Sequence, residues 1–228
     1  RRDGPGGREL GANGDRRAHE LITAALHGAR PDDAVLSEEG VQPGEGGVVD
    51  AGHGRRRIWI VDPLDGTREF SEGRADWAVH VALVENGRPV VGAVALPGEG
   101  EVLSTAAPPT LPAPHGARPR ILVSRTRPPG EVADVAAALD AELVPMGSAG
   151  AKTMAVVRGG GDIYLHSGGQ YEWDSAAPVA VAVAAGVHAS RLDGSPLVYD
   201  RPDPWLPDLL ICRPEWAAEV LGILGPAS

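Results

Sequence analysis

The chain reads as a mixed α+β protein made of two unlike halves, and three features lead there. An Asn86-Gly87 pair separates two alternating apolar runs, Trp77 to Val84 and Pro89 to Leu96, which is the pattern of an antiparallel hairpin. After residue 119, short strand-like and helix-like segments alternate, as in an α/β layer with helices on its faces. Between these regions, Ala107 to Pro119 holds five prolines and no periodicity. That run sets a boundary between an N-terminal α+β half, 1–116, and a C-terminal α/β half, 117–228.

The elements follow in order. Residues 1–14 are polar and Gly-rich and read as a loop. Asp15 then caps a helix whose apolar face carries Leu21, Ile22, Ala25, Leu26 and Ala29, and Pro31 ends it. Ala34 to Leu36 is a short buried strand that stops at Ser37-Glu38-Glu39. Val41 to Arg57 contains five glycines and little apolar content, so it reads as a mobile loop. Arg57 to Val61 is the next strand, followed by the hairpin and a strand near Glu101 to Thr105. In the second half, strands fall at Arg120–Ser124, Glu142–Val144, Asp162–Leu165 and Leu209–Cys212. Helices fall at Glu131–Leu139, Ala151–Val157 and Trp173–Ala185, with a last one from Pro214.

Composition narrows the function. With 228 residues, 43% of them hydrophobic, the chain can bury a sizeable core. A formal net charge of −10 repels nucleic acid and anionic membranes at long range. A small anionic substrate would need local help from metal ions or a few arginines. The single cysteine, Cys212, permits neither an internal disulfide nor a cysteine-based zinc site, which suits a reducing, cytoplasmic setting. It lies in the apolar run DLLIC and reads as core. No signal peptide is evident, and no apolar run reaches the roughly 18 residues of a membrane span.

The chemistry centres on WIVDPLDGTREF, Trp59 to Phe70. Pro63 cannot donate to a ladder, so the strand is expected to end at Asp62, with its carboxylate held in a fixed direction. Asp65-Gly66 is a turn pair, and Gly66 and Thr67 can offer backbone N–H groups to an anion or open a short helix. Two carboxylates beside an anion-binding nest conflict unless a divalent cation lies between them, and Mg²⁺ accepts both carboxylate and phosphate oxygens. The plainer reading is an exposed Asp-Gly turn. The plainer reading of Asp174, at the head of an apolar helix, is a charge that satisfies the helix dipole. Yet Glu38, Asp62, Asp65 and Asp174 all lie at element ends, where open α/β sites form, and no His/Cys cluster accompanies them. The aspartyl phosphatases with a DxDGT motif are excluded, because Pro63 and Leu64 place two residues, not one, between these aspartates.

The segments WIVDPLDGT, LSEE and WDSAA, in that order, resemble the lithium-sensitive, magnesium-dependent inositol monophosphatase-like superfamily. DPLDGTREF, DWAVHVAL, SRTRPP, GSAGAK, GGQYEWDSAAP and HASRLDGSPL are similar to its bacterial bisphosphate nucleotidase branch, in the actinobacterial form. The resemblance implies a layered αβαβα sandwich of the sugar-phosphatase type. It implies removal of the 3'-phosphate of 3'-phosphoadenosine 5'-phosphate by direct attack of a metal-activated water, with two to three Mg²⁺ ions. Inositol or sugar phosphates are the alternative substrates, and an inactive, metal-free binding protein is the alternative of another class. Carried over by motif, the metal set is Glu38, Asp62, the Leu64 carbonyl, Asp65 and Asp174. Asp15, Thr67 and Glu38 are the catalytic set, with Asp15 bonded to Thr67 and Glu39 in support. Gly66 and Thr67 hold the phosphate. Arg68 and Lys152 are candidates for phosphate charge, and Ser124, Arg125 and Tyr171 for the distal part of the substrate.

Each of these has a plainer reading: an Arg68–Glu69 surface pair, a solvated Lys152, a packing role for Tyr171. His19 and His80 read as partners within the fold, and His166 lies near a motif. Two departures stand out. Ser167 occupies the position, seven before Asp174, where inositol phosphatases commonly carry Glu, which argues against inositol 1-phosphate. The family's long N-terminal helix is not legible ahead of Asp15: either a disordered start is left out or the chain is short there, and only a short chain would leave the site poorly supported on that side. The partner expected is a small phosphorylated nucleotide, with no nucleic acid polymer and no membrane; oligomeric state stays open, a homodimer included.

Overall fold

A computed structural model describes residues 5–40, 57–114, 116, 118–126 and 128–225. Helix α1 (Pro5–Ala29) leads into β1 (Ala34–Ser37) and a 3₁₀ turn at Glu38–Gly40. β2 (Arg57–Asp65), α2 (Thr67–Glu72), β3 (Ala78–Glu85), β4 (Arg88–Leu96) and β5 (Glu101–Ser104) complete the first half. The second half runs β6 (Arg120–Ser124), α3 (Glu131–Leu139), β7 (Glu142–Met146), α4 (Ala149–Val157), β8 (Ile163–Tyr171) and α5 (Glu172–Ala184). It ends with β9 (His188–Ser190), β10 (Trp205–Cys212) and α6 (Pro214–Leu224).

The strands form two five-stranded mixed sheets, ordered β1-β2-β3-β4-β5 and β7-β6-β8-β10-β9. In the first, β1 runs parallel to β2 and the rest are antiparallel. In the second, β7, β6 and β8 are parallel and β10 runs against β8 and β9. α1 covers one face of the first sheet with α2 packed beside it, α4 and α5 fill the space between the sheets, and α3 and α6 cover the far face of the second. The layers are therefore α, β, α, β, α, as the family resemblance implied.

Strand alternation divides the apolar residues between two cores. Leu122, Tyr164, Leu209 and Ile211 turn inward to a core shared with Ile58, Ile60 and the apolar faces of α4 and α5. Their neighbours Ile121, Val123, Ile163, Leu165, Leu210 and Cys212 turn outward to pack on α3 and α6. Cys212 is thus a core residue, its thiol pushed up to about 12 by burial and then by the Glu215 charge.

The hairpin forms as expected, with Asn86 and Gly87 both left-handed (φ 52° and 75°) in its turn. Four expectations need correction. Residues 5–14 are not a loop but the first turns of a 25-residue helix, so Asp15 lies inside α1 and caps nothing. The missing N-terminal helix is therefore present ahead of Asp15. Its glycines, which lower helix propensity, serve close packing: a Cβ at Gly11 would stand 2.7 Å from Ser71 Oγ, and one at Gly14 3.0 Å from the Phe70 ring. Third, β2 does not stop at Asp62. It continues to Asp65, and Pro63 is tolerated because the pairing with β3 shifts register between Asp62 and Asp65. Fourth, β8 runs on to Tyr171, past left-handed Gly168 and Gly169, and the three-residue β9 gave no sequence signal. The mobile loop expected over Val41 to Arg57 falls, up to residue 56, outside the described residues.

Candidate active site

Three carboxylates meet where the first sheet abuts the helices of the middle layer. Asp62 is nearly fully buried, and its Oδ1 accepts the Leu64 N–H at 3.0 Å, a local turn that steps over Pro63 and aims the side chain. Asp65 ends β2, and its Oδ2 accepts both the Ser148 hydroxyl (2.5 Å) and the Gly150 N–H (2.6 Å). Those donors sit at the start of α4, which explains the glycines of GSAGAK. A side chain at Gly150 would collide with His80 Nε2, and one at Gly147 with Glu69. Asp174 lies in the first turn of α5, where its Oδ2 accepts the Tyr171 N–H at 2.6 Å. Ligand oxygens of Asp62, Asp65 and Asp174 all lie within 4.8 Å of one another.

Glu38, at the end of β1, stands outside that tight trio but within its field. Burial, then the charges of Asp15, Asp174, Asp65 and Glu39, raise it to about 8. Burial followed by the neighbouring Asp65 raises Asp174 to about 6. The same two causes, with Glu38 and Asp174 added, push Asp62 well above the carboxylate range. Asp65 is the exception. Burial would raise it, but His80, Ser148 and Gly150 outweigh burial and bring it to about 2. His80 is fully buried, with Nδ1 3.1 Å from the Trp173 carbonyl and Nε2 3.3 Å from Asp65, so it braces the ligand strand against α5. Carboxylates crowded in this way resist ionisation, and an oxygen-seeking dication would relieve them. The donor set therefore fits a hard divalent metal.

Thr67 and Asp15 meet as expected, though the bond is long. The Thr67 hydroxyl lies 3.1 Å from the Leu64 carbonyl and 3.4 Å from Asp15 Oδ2. Asp15 is held up to about 6, chiefly by burial and then by Glu39, and its Oδ1 has no partner among the described residues. His19, also on α1, meets the Ser37 hydroxyl at 2.8 Å, so α1 buttresses both ends of this wall.

Beside the trio lie two adjoining cavities of about 520 Å³ each. Gly66, Thr67, Arg68, Ser124, Arg125 and Lys152 line the first, and Gly66, Ser124, Lys152, Tyr171 and Asp174 are on the wall of the second. The structure thus brings every candidate substrate residue to one cleft. Their plainer readings fare differently. Arg68 does make a surface pair, but with Glu72 (2.9 Å), not Glu69. Arg125 grips the same Glu72 at 2.9 and 3.0 Å. Lys152 is not solvated: it is buried, donates to the Ser148 carbonyl at 2.7 Å and lies 5.0 Å over the Tyr164 ring. Burial lowers its pKa, against the pull of Asp65, Glu69, Asp174 and Asp76. Tyr171 is half-exposed and stacks on Trp173 with ring centres 4.7 Å apart. Ser167 turns toward Glu131, whose carboxylate accepts its hydroxyl at 2.7 Å.

Ser148, His166, Gln170 and Trp205 also line the cleft, and sequence reasoning gave them no part in substrate binding. Ser148 was within reach, as a small hydroxyl residue between the glycines of GSAGAK at a helix start. Trp205 was not, because it lies in a Pro/Asp-rich stretch with no periodicity.

The inositol monophosphatase family model matches residues 3–109 and 120–221. The chain belongs to the inositol monophosphatase family. Among curated members, the 3'-phosphoadenosine 5'-phosphate phosphatase of Mycobacterium tuberculosis is 51% identical over 231 residues, covering 96% of this chain and 83% of that protein. The 3'(2'),5'-bisphosphate nucleotidase CysQ of Escherichia coli K12 is 36% identical over 197 residues, 81% of this chain and 77% of CysQ. The crystal structure of CysQ from Bacteroides thetaiotaomicron superposes with a TM-score of 0.73 at 28% identity, covering 87% of this chain and 83% of that one. The layered sandwich is thus the family fold. Among the described residues, no helix is long and apolar enough to cross a membrane.

Proposed function

We propose that this family member removes the 3'-phosphate of 3'-phosphoadenosine 5'-phosphate, yielding AMP, with Mg²⁺ held by Asp62, Asp65, Asp174, Glu38 and the Leu64 carbonyl. The reading rests above all on one observation. Two buried carboxylates and one half-buried one bring ligand oxygens within 4.8 Å of one another beside a cleft walled by Arg68, Arg125 and Lys152. The identity to the mycobacterial phosphatase supplies the nucleotide. Two to three bound Mg²⁺ ions would lower the pKa of water and offset charge on the phosphoryl oxygens.

The chain's own residues do the positioning. The Thr67 proton is directed at the Leu64 carbonyl and Asp15, so the lone pairs of that hydroxyl are left to accept from the attacking water. Asp15, raised to about 6, is suited to take up the proton the water loses. The Gly66 and Thr67 N–H groups at the start of α2 hold the phosphoryl oxygens, and left-handed Gly66 makes that turn. Lys152 adds a desolvated positive charge, and Ser124, Arg125 and Tyr171 face the rest of the nucleotide. The division into a 1–116 metal-binding half and a 117–228 half belongs to the same reading. Glu38, Asp62 and Asp65 come from the first half, while Asp174 and most of the distal wall come from the second. We place the enzyme in the cytoplasm, where its nucleotide substrate and its lone buried thiol both fit.

The test is turnover on 3'-phosphoadenosine 5'-phosphate, inositol 1-phosphate and fructose 1,6-bisphosphate, with and without Mg²⁺ and Li⁺. The nucleotide is expected to be preferred, with turnover dependent on Mg²⁺ and suppressed by Li⁺. A preference of about tenfold or more for inositol 1-phosphate would overturn the substrate. No metal-dependent phosphate release would favour a binding protein.

A further inference from the structure

β8 carries a bulge at the cleft. Leu206 pairs with Gln170 and Asp208 with Ser167, so Gly168 and Gly169 together oppose the single residue Pro207. Both glycines are left-handed (φ 91°), and His166 Nε2 lies 2.9 Å from the Gly169 carbonyl, which fixes the turn. Bulges near active sites redirect side chains, and here the side chain redirected is Trp205. A Cβ at Gly169 would meet the indole at Nε1, Cε2 and Cζ2, with Nε1 under 2.5 Å away. The indole therefore lies directly on bare backbone, and any residue but glycine at 169 would lift it off.

So seated, Trp205 lines the cleft yet stays 42% exposed, an unusual state for the largest apolar side chain. Its ladder partner is Tyr171, also on the cleft wall and 45% exposed. Directly paired residues point to the same face of a sheet, so both side chains leave the sheet on one side. The Tyr171 N–H donates to Asp174, one of the three clustered carboxylates. Trp205 lies one strand further on, about 4.8 Å in the ladder direction, which is within the span of a single nucleotide.

We propose that Trp205, seated on Gly169 and flanked by Tyr171, is the stacking platform for the purine base and sets the preference for a nucleoside over a bare sugar phosphate. This deepens the functional reading above and rests on it. π-stacking of this kind needs a flat π-face, which a purine has and a polyhydroxylated ring lacks, and base–aromatic stacking is strong enough to dominate discrimination.

The experiment compares 3'-phosphoadenosine 5'-phosphate with the corresponding ribose bisphosphate lacking the base. In the wild type, kcat/KM favours the nucleotide. In Trp205→Ala that ratio is expected to fall on the order of tenfold, with the loss in the nucleotide's KM and not in kcat. Trp205→Phe should restore most of the ratio, because it keeps a stacking face. AMP should quench tryptophan fluorescence in the wild type and much less in Trp205→Phe. An unchanged ratio in Trp205→Ala, or equal loss on both substrates, would make Trp205 a packing residue and sink the inference while the functional reading stood. A wild type that does not turn over the nucleotide would instead overturn the functional reading and this inference with it.

Discussion

Stripping divalent metal and raising the pH should weaken the fold, and the sign follows from the carboxylates. In the metal-free state burial and mutual repulsion raise Asp15 and Asp174 to about 6 and Glu38 to about 8. Their unfolded values lie near 3.8 and 4.5. A carboxyl with a raised folded pKa supports the fold fully below its unfolded value, and that support is lost as pH climbs through the folded value. Each group still protonated in the fold and ionised in the unfolded chain therefore costs up to about 1.4 kcal/mol per pH unit. Asp15 and Asp174 act up to about pH 6 and Glu38 up to about pH 8, so several kcal/mol are at stake between about pH 5 and pH 8. Asp62 and Glu172, raised by burial first, add in the same direction. Asp65, lowered to about 2, has given its full support by about pH 4 and does not alter the slope. His188, lowered by burial, opposes the trend as a single group. Urea unfolding followed by circular dichroism, in EDTA and in saturating Mg²⁺, reads this directly. The EDTA midpoint should fall as pH rises, and Mg²⁺ should raise the midpoint more at the alkaline end. A flat or rising EDTA midpoint, or a Mg²⁺ effect equal at every pH, would refute the crowding argument.

Two further outcomes follow from the same geometry. Asp62→Asn should lower Mg²⁺-dependent phosphate release at least about 100-fold while preserving or raising stability in EDTA at neutral pH, since the carboxyl that must take up a proton on folding is gone; turnover within a factor of about two of the wild type would remove Asp62 from the metal set. Gly11→Ala places a Cβ 2.7 Å from Ser71 Oγ and 2.8 Å from Thr67 Cγ2. It should cost about 1–3 kcal/mol in urea unfolding and lower kcat more than it raises KM, because Thr67 is pushed from its place; an unchanged kcat would separate α1 from the chemistry.

What the sequence revealed and what it hid have separate physical causes. The hairpin was legible because Asn86-Gly87 is a local signal: two left-handed residues make the turn whatever surrounds them. The three clustered acids were legible because each sits at an element end within a compact motif. α1 was misread for the opposite reason. Its residues 5–14 have poor helix propensity, and their helicity comes from packing against α2, a contact with residues more than fifty positions away. Pro63 misled similarly: the register shift that accommodates it is a property of the pair β2–β3, not of β2. Trp205 stayed hidden because its role depends on Gly169, a glycine on another strand.

Asp65 shows how fold and chemistry come to share one side chain. Its Oδ2 accepts two donors from the start of α4, which uses both lone pairs of that oxygen. Contact with a cation would therefore fall to Oδ1, and the direction of Oδ1 is fixed by whatever fixes α4. α4 in turn is set by Gly147 against Glu69 and Gly150 against His80, and His80 meets the carbonyl of Trp173, next to Asp174. A shift of α4 would thus move Asp65 and disturb the support of Asp174 together. This is why the low pKa of Asp65 is informative. It stays charged far into the acid range before any metal arrives, whereas burial and crowding hold Asp62 and Glu38 back from ionising, and so it would be the carboxylate best placed to make first contact with an incoming cation.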